Sequence, residues 1–417
     1  MTSETTAAAG AVPGRALLIT RAFPAAAGTG AQQRSFNHLL ALLHYERVDV
    51  LVPVHEVTDP SEVEAQVAAV AALSPRIGWV RAVRAPQSPD FQSTLRVFLP
   101  PDGAAQVADL RIRDYATVLC FRVFALHFAE EHLGAVCGDP DMPRIVVDFD
   151  DVESVAIWRE AAGKRDENGL RRTLALRWQA VRRFFHEHGA QARADAVMVC
   201  SAVDRARLVN RRTGEVHTIP NSVAVPEQFP EGERNGETDG IRLLFVGALF
   251  YPPNVDAMQW FVREIYPQVR AELGATVRLD LVGRRPTADV LALADEAAGV
   301  YVTADVPSVE PWYADADVVV APIRFGGGTR IKILEALALG KSVVTTTVSA
   351  EGIDLVPGEH AAFADSAADF AAAVVRLARD EGVRQHMARA GWERVAALYS
   401  AATIQAREFR EVLAPRV

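Results

Sequence analysis

Cysteine is scarce: Cys120, Cys137 and Cys200 are the only three in 417 residues, and none sits in a C-x-x-C spacing. Neither a disulfide framework nor a zinc site is signalled, and a reducing, cytoplasmic setting is expected. Positive charge is not in excess either. Lys and Arg number 44 against 53 Asp and Glu, a net charge of −9, so no global field exists to hold a nucleic-acid backbone and no nucleic-acid partner is expected. Long apolar runs are missing too: nowhere do about 18 apolar residues follow one another, and no basic stretch precedes the first apolar ones. A transmembrane segment and a secretion signal are not expected, which leaves peripheral contact as the one way to meet a membrane.

What is present is globular in character. Half of the residues are hydrophobic and 23% are charged, which argues against wholesale disorder, and the length suits two or three domains. Residues 1–14 are small and polar and read as a flexible tail. From Arg15, short apolar runs alternate with stretches of helical period: strand-like Ala16–Thr20, helix-like Ala31–His44, strand-like Val48–Val52, then Ile145–Asp148 and Ala196–Cys200. The alternation restarts at 241 with IRLLFVG, a helix from Asn254 to Glu272, VRLDLVG (277–283), a further helix, DVVVAPI (317–323), a helix ending at Gly340, and SVVTTT (342–347). Both halves predict an α/β class of doubly wound parallel sheets covered by helices. The Pro-, Gly- and charge-rich stretch 226–240 separates them, giving a domain over 15–228, a linker over 229–240, a second domain over 241–395 and a last helical segment over 396–417.

Three segments carry chemistry. In GGGTRIKILE (326–335) a glycine triplet leaves a strand and opens into a helix, so its amides and the helix dipole favour an anion. Gly327 and Gly328 offer backbone, Thr329 is a plausible N-cap, and Arg330 and Lys332 place cations in the first turn, where only an anionic ligand makes them favourable. The alternative is a solvated basic loop. Glu335, on the same helix, can accept hydrogen bonds from sugar or ribose hydroxyls, or simply pair with Lys332. Gly247 and Arg284 follow two further strands, on the edge where such sheets bind ligands. The second segment, PAAAGTGAQQR (24–34), allows backbone approach at Gly28, Thr29 and Gly30; Gln33 occupies the third glycine position of G-x-G-x-x-G, so a plain strand-to-helix turn is an equal reading. In the third, VVDFDDVES (146–154), Asp148 and Asp150 form a D-x-D pair that could bind a divalent cation, whereas Asp151 or Ser154 can cap the next helix. The basic helix Arg171–Arg183 reads as a solvated face or as a contact for anionic lipid carriers. No P-loop, H-E-x-x-H or G-x-S-x-G pattern occurs.

In combination, FVGALFYPPNVDAMQWF (245–261), LDLVGRR (279–285), WYADADVVVAPIRFGGGTRIKILEALALGKSVVTT (312–346) and SAEGID (349–354) resemble the nucleotide-sugar domain of GT-B glycosyltransferases. The similarity is to the large retaining family 4, which contains many bacterial glycan and glycolipid synthases. FRVFALHFAEEHL (121–133), VVDFDDVES and the passage from ADAVMVCS to VHTIPNSV (195–223) extend it more loosely through the first half. The resemblance implies two Rossmann-like domains facing across a cleft, donor diphosphate on the C-terminal side, acceptor on the N-terminal side, no metal or other cofactor, and a last helix that crosses back to the first domain. It makes Glu335 the second carboxylate of an E-x7-E motif, a ribose contact. The first carboxylate is replaced by Gly327. The basic pair that often follows the first strand of the donor domain is not evident after Gly247, which leaves Arg330, Lys332 and Arg284 to neutralise the diphosphate. Asp150 falls where many relatives have a histidine near the reacting carbon.

The function so implied is transfer of a sugar from a nucleoside-diphosphate sugar to a hydroxyl acceptor, whether glycan, lipid carrier or small molecule, with retention and without metal. Asp150, Arg330 and Lys332 are its catalytic candidates. Gly28, Thr29, Gly30, Gly247, Arg284, Gly327, Gly328, Thr329 and Glu335 are its substrate-binding candidates. The rival readings are a catalytically silent nucleotide-sugar-binding paralogue and a metal-dependent transferase using Asp148 and Asp150.

Overall fold

The computed structural model describes residues 11–55, 58–85, 99–163, 165–208, 215–231, 240–326 and 331–415. The chain divides into two compact units. The first comprises Met1–Ser154, Arg177–Pro220 and Ile404–Val417, the second Val155–Leu176 and Asn221–Thr403.

The first unit is built on β1 (Val12–Ile19), β2 (Tyr45–His55), β3 (Ile77–Ala85), β4 (Thr117–Phe121), β5 (Arg144–Asp148), β6 (Ala196–Val199) and β7 (Glu215–Thr218). They form one parallel sheet in the order β3-β2-β1-β4-β5-β6-β7. Ala16–Ile19 and Ile145–Val147 are wholly buried, the continuous apolar run of a strand covered on both faces. The order reverses between β1 and β4, the topological position at which such sheets bind ligands beyond the carboxyl ends of their strands. The last helical turns, Ala401–Glu408 and Phe409–Leu413, return to this unit. Ile404, Val412 and Leu413 join its apolar core, and the Tyr45 hydroxyl donates to the Leu413 carbonyl at 2.7 Å.

The second unit carries β8 (Arg242–Ala248), β9 (Arg278–Arg284), β10 (Val300–Ala304), β11 (Val318–Ala321), β12 (Ser342–Thr345) and β13 (Ala362–Phe363). Their order, β10-β9-β8-β11-β12-β13, is again parallel and reverses between β8 and β11.

Three local outcomes differ from the sequence reading. The units part at Pro220, earlier than 228, and Phe229 already packs on Trp392 inside the second unit, because an aromatic among prolines and charges is buried wherever a partner exists. Residues Val155–Leu176 group with the second unit, although they precede that boundary in the sequence. The helix expected from Asn254 to Glu272 is Pro252–Trp260, a π-turn Phe261–Ile265, and Tyr266–Leu273. Pro267 cannot donate back to residue 263, and the wider turn, with Tyr266 N–H donating to Phe261, lets the chain stay helical past it.

Candidate functional site

In the second unit, Gly247 and Gly283 lie opposite each other in the β8–β9 register. A Cβ on Gly283 would fall on the Gly247 carbonyl oxygen, so the two backbones can meet this closely only with glycine at 283. A Cβ on Gly247 would stand 2.7 Å from Lys332 Nζ and 2.9 Å from Asn254 Nδ2. The missing side chain is what lets the ammonium rest against the end of β8. Lys332 Nζ donates to Asn254 Oδ1 at 2.8 Å and sits 4.1 Å from the centre of the buried Phe245 ring, while Asn254 Nδ2 ties to the Ala248 carbonyl at 2.9 Å. A cation is thus fixed by an amide and an aromatic face at the carboxyl edge of the sheet.

Lys332 lies in the helix Ile331–Ala338. Glu335 lies one turn on and is half-buried. Burial, and secondarily the Glu335 charge, push the Tyr313 phenol well above its ordinary range; its hydroxyl is buried with no hydrogen-bond partner among the described residues. Arg284 is exposed, and its carbonyl accepts from Leu249 N–H at 2.9 Å. Gly327, Gly328, Thr329 and Arg330 lie outside the described residues. The loop that leads to them is held from two sides: Arg324 forks onto Asp256 at 2.7 and 3.0 Å, and Arg159 donates to the Gly326 carbonyl at 3.3 Å while gripping Glu351 at 2.5 and 2.8 Å.

The first unit places quite different chemistry at its sheet edge. Asp148 ends β5 and is wholly buried. Arg34 Nε and Nη2 reach its two oxygens at 2.6 Å each, and His38, one helical turn after Arg34, contributes Nε2 at 3.0 Å. The other ring nitrogen of His38 meets Glu408 Oε1 at 2.5 Å, and Arg34 Nη2 also donates to the Ile219 carbonyl at 3.1 Å. Burial would lower the His38 pKa, but Glu408 and Asp148 outweigh it and raise it to about 9, so the ring is an imidazolium that donates from both nitrogens. Burial acts to raise the Asp148 pKa, yet the Arg34 guanidinium and then His38 hold it well below the usual carboxylate range. Two cations and two anions therefore cancel inside the core.

Asp150 stands beside this cluster, with Oδ2 2.5 Å from Arg122 Nη2 and Oδ1 3.8 Å from Arg34 Nε. Asp150 has φ 55° and Arg122 φ 70°, left-handed conformations that non-glycine residues avoid, and both occur just past strand ends. The D-x-D metal reading does not fit this geometry. Both Asp148 oxygens are occupied by Arg34 and His38, Asp150 is engaged by Arg122, and no group of three metal-ligating side chains occurs among the described residues. The Gly28–Gly30 loop leads into a capped helix. Thr29 caps the helix by accepting from Gln32 N–H at 3.4 Å, and Gln32 Oε1 accepts from Thr29 N–H at 3.0 Å, a reciprocal capping box across residues whose glycine spacing suggested a ligand loop.

Sequence reasoning singled out Gly247, Lys332 and Asp150 but not Asn254, Arg159, Arg34, His38, Arg122 or Glu408. The i, i+4 spacing of Arg34 and His38 on an otherwise apolar helix face was the one local signal for the buried cluster.

Residues 240–380 match the family described as glycosyl transferases group 1. Among solved structures, the chain resembles sucrose-phosphate synthase from Thermosynechococcus elongatus, with 17% identity, TM-score 0.65 and coverage of 95% of this chain and 98% of that one. It also resembles Anabaena HepE in complex with UDP-glucose (14%, TM-score 0.61, 96% and 99%) and WaaG, a glycosyltransferase involved in lipopolysaccharide biosynthesis (15%, TM-score 0.61, 95% and 100%). A Klebsiella pneumoniae protein described as an uncharacterized 44.6 kDa protein in the cps region is 24% identical over 165 residues, 37% of this chain and 42% of that protein. The fold is that of the GT-B glycosyltransferases, and the match to the group 1 glycosyl transferase family lies within the second unit.

Proposed function

With a match to the group 1 glycosyl transferase family on a GT-B fold as the premise, we propose that the chain moves a sugar from a nucleoside-diphosphate sugar to a hydroxyl acceptor, with retention at the anomeric carbon and without a metal. The carrying observation is Lys332, pinned by Asn254 over Phe245 beside the bare backbone of Gly247. A lysine near the start of a helix opposes the helix dipole, an arrangement that a bound diphosphate turns favourable.

As the bond from the anomeric carbon to the diphosphate oxygen breaks, negative charge grows on the departing phosphate. Lys332, with Arg330 and the amides of Gly327 and Gly328, stabilises that charge more than the ground state. The acceptor hydroxyl attacks from the face the leaving group vacates, and its proton passes to the departing phosphate, so no covalent enzyme nucleophile is needed. Glu335 takes the ribose hydroxyls, with Arg284 as a further diphosphate contact. The acceptor is assigned to the first unit, where Asp150 and Arg122 stand at the sheet edge. The commitment of Asp148 to Arg34 and His38 supports the metal-free reading, and the lack of a disulfide among the described cysteines supports a cytoplasmic setting.

Thermal unfolding with UDP, GDP, ADP, dTDP or CDP, each in EDTA and in magnesium, tests this. A ligand at about 100 times its Kd adds roughly 2.7 kcal/mol to native stability. We expect one diphosphate to act selectively and equally in EDTA. A rise confined to magnesium overturns the metal-free mechanism, and no rise with any nucleotide overturns the donor site. Binding without sugar release or transfer leaves a silent paralogue, the reading that the loss of a carboxylate at Gly327 favours.

A further inference from the structure

The helix Arg165–Arg193 is inside out from Arg177 onward. Its buried side carries Ala180, Arg183 and Glu187, the last only 1% exposed, while Trp178 (67%), Val181 (38%) and Phe185 (68%) face solvent. At about 100° per residue these three share one stripe. A helix whose apolar side packs on a core shows the reverse pattern. Charge follows the same helix: residues 169–186 contain five arginines and no Asp or Glu, in a chain of net charge −9. Arg177 and Arg182 are exposed and flank the stripe on opposite sides.

We propose that this face docks on an anionic lipid surface, lying in the interface with Trp178 and Phe185 inserted and Arg177 and Arg182 at headgroup level. Apolar residues bordered by arginine on one helix, with aromatic side chains at the centre, are what the boundary between acyl chains and anionic headgroups accommodates. A second copy on the same face would bring arginine against arginine across a two-fold axis, whereas acidic headgroups neutralise both flanks. Among the described residues no helix is long and apolar enough to cross a membrane. The proposal is independent of the transfer reaction.

The test is co-sedimentation of the full chain with phosphatidylcholine vesicles, with and without an equal share of phosphatidylglycerol, followed by tryptophan emission. The chain should pellet with the anionic vesicles alone, with a blue shift. Trp178→Ser with Phe185→Ser, and separately Arg177→Glu with Arg182→Glu, should each lower the partition coefficient by at least about tenfold. These side chains are exposed, so both variants should unfold at the parent temperature, which distinguishes lost docking from lost folding. Absence of binding to anionic vesicles, or binding that both variants retain, overturns the proposal. So does a dimer formed without lipid that Trp178→Ser with Phe185→Ser dissolves, since the stripe would then be a contact between copies.

Discussion

The two units place opposite kinds of chemistry at the same topological position. At the reversal of the second sheet the arrangement is made largely of backbone: two glycines, one lysine and the amide that steers it. At the reversal of the first sheet it is made of charged side chains that satisfy one another, Arg34 and His38 on Asp148, with Glu408 behind the histidine. Under the proposed function, the edge that carries the fixed cation is the one that takes the donor's anion. An edge whose charges are already cancelled and dry is built to hold shape, and its outward products are the strained Arg122 and Asp150.

Asp148→Asn should show the largest effect, about 3–5 kcal/mol of lost stability, because the substitution leaves a buried guanidinium and imidazolium without their counter-charge. Chemical denaturation measures it, and the comparison predicts that nucleotide affinity changes little. Lys332→Ala should do the converse: turnover falls about 100- to 1000-fold while the unfolding curve hardly moves. If Lys332→Ala mainly unfolds the protein, or Asp148→Asn mainly abolishes nucleotide binding, the two edges are not specialised in this way. The smallest expected effect comes from pH. His38 carries its proton up to about 9 in the folded chain, against an ordinary value of 6.5, so its stabilisation is complete below pH 6.5 and is lost as pH rises through 9. That loss is roughly 3 kcal/mol, and Glu408→Gln should flatten the slope in a pH series of denaturant midpoints.

The same contrast explains what the sequence made legible. The second unit's edge is local: Gly247 ends an apolar run, and Lys332 follows a glycine triplet within a few residues, so strand, loop and helix can be read in one pass. Asn254 escaped because an asparagine near the start of a helix reads as an ordinary cap. The buried cluster draws on positions 34, 38, 148 and 408, and no periodicity links an arginine in the first helix to a glutamate in the last. The double winding was readable from the buried central strands. β3, β7, β10 and β13 lie at or next to sheet edges, where polar and apolar residues mix over few positions, and they could not be separated from the surrounding turns. The Gly28–Gly30 loop reads in the sequence either as a ligand loop or as a plain turn, and the capping box of Thr29 and Gln32 could not be read from glycine spacing.

The return of Ile404–Val417 to the first unit imposes an order on biosynthesis. As the chain leaves the ribosome, β1 to β7 emerge long before Glu408, Val412 and Leu413, so the apolar face and the His38 ring that they cover must wait while residues 221–403 are made. The unit begun first is finished last. Its half-built sheet is the species a chaperone would meet, and a nascent chain stalled anywhere in the second unit would expose that unfinished face however well the second unit had folded.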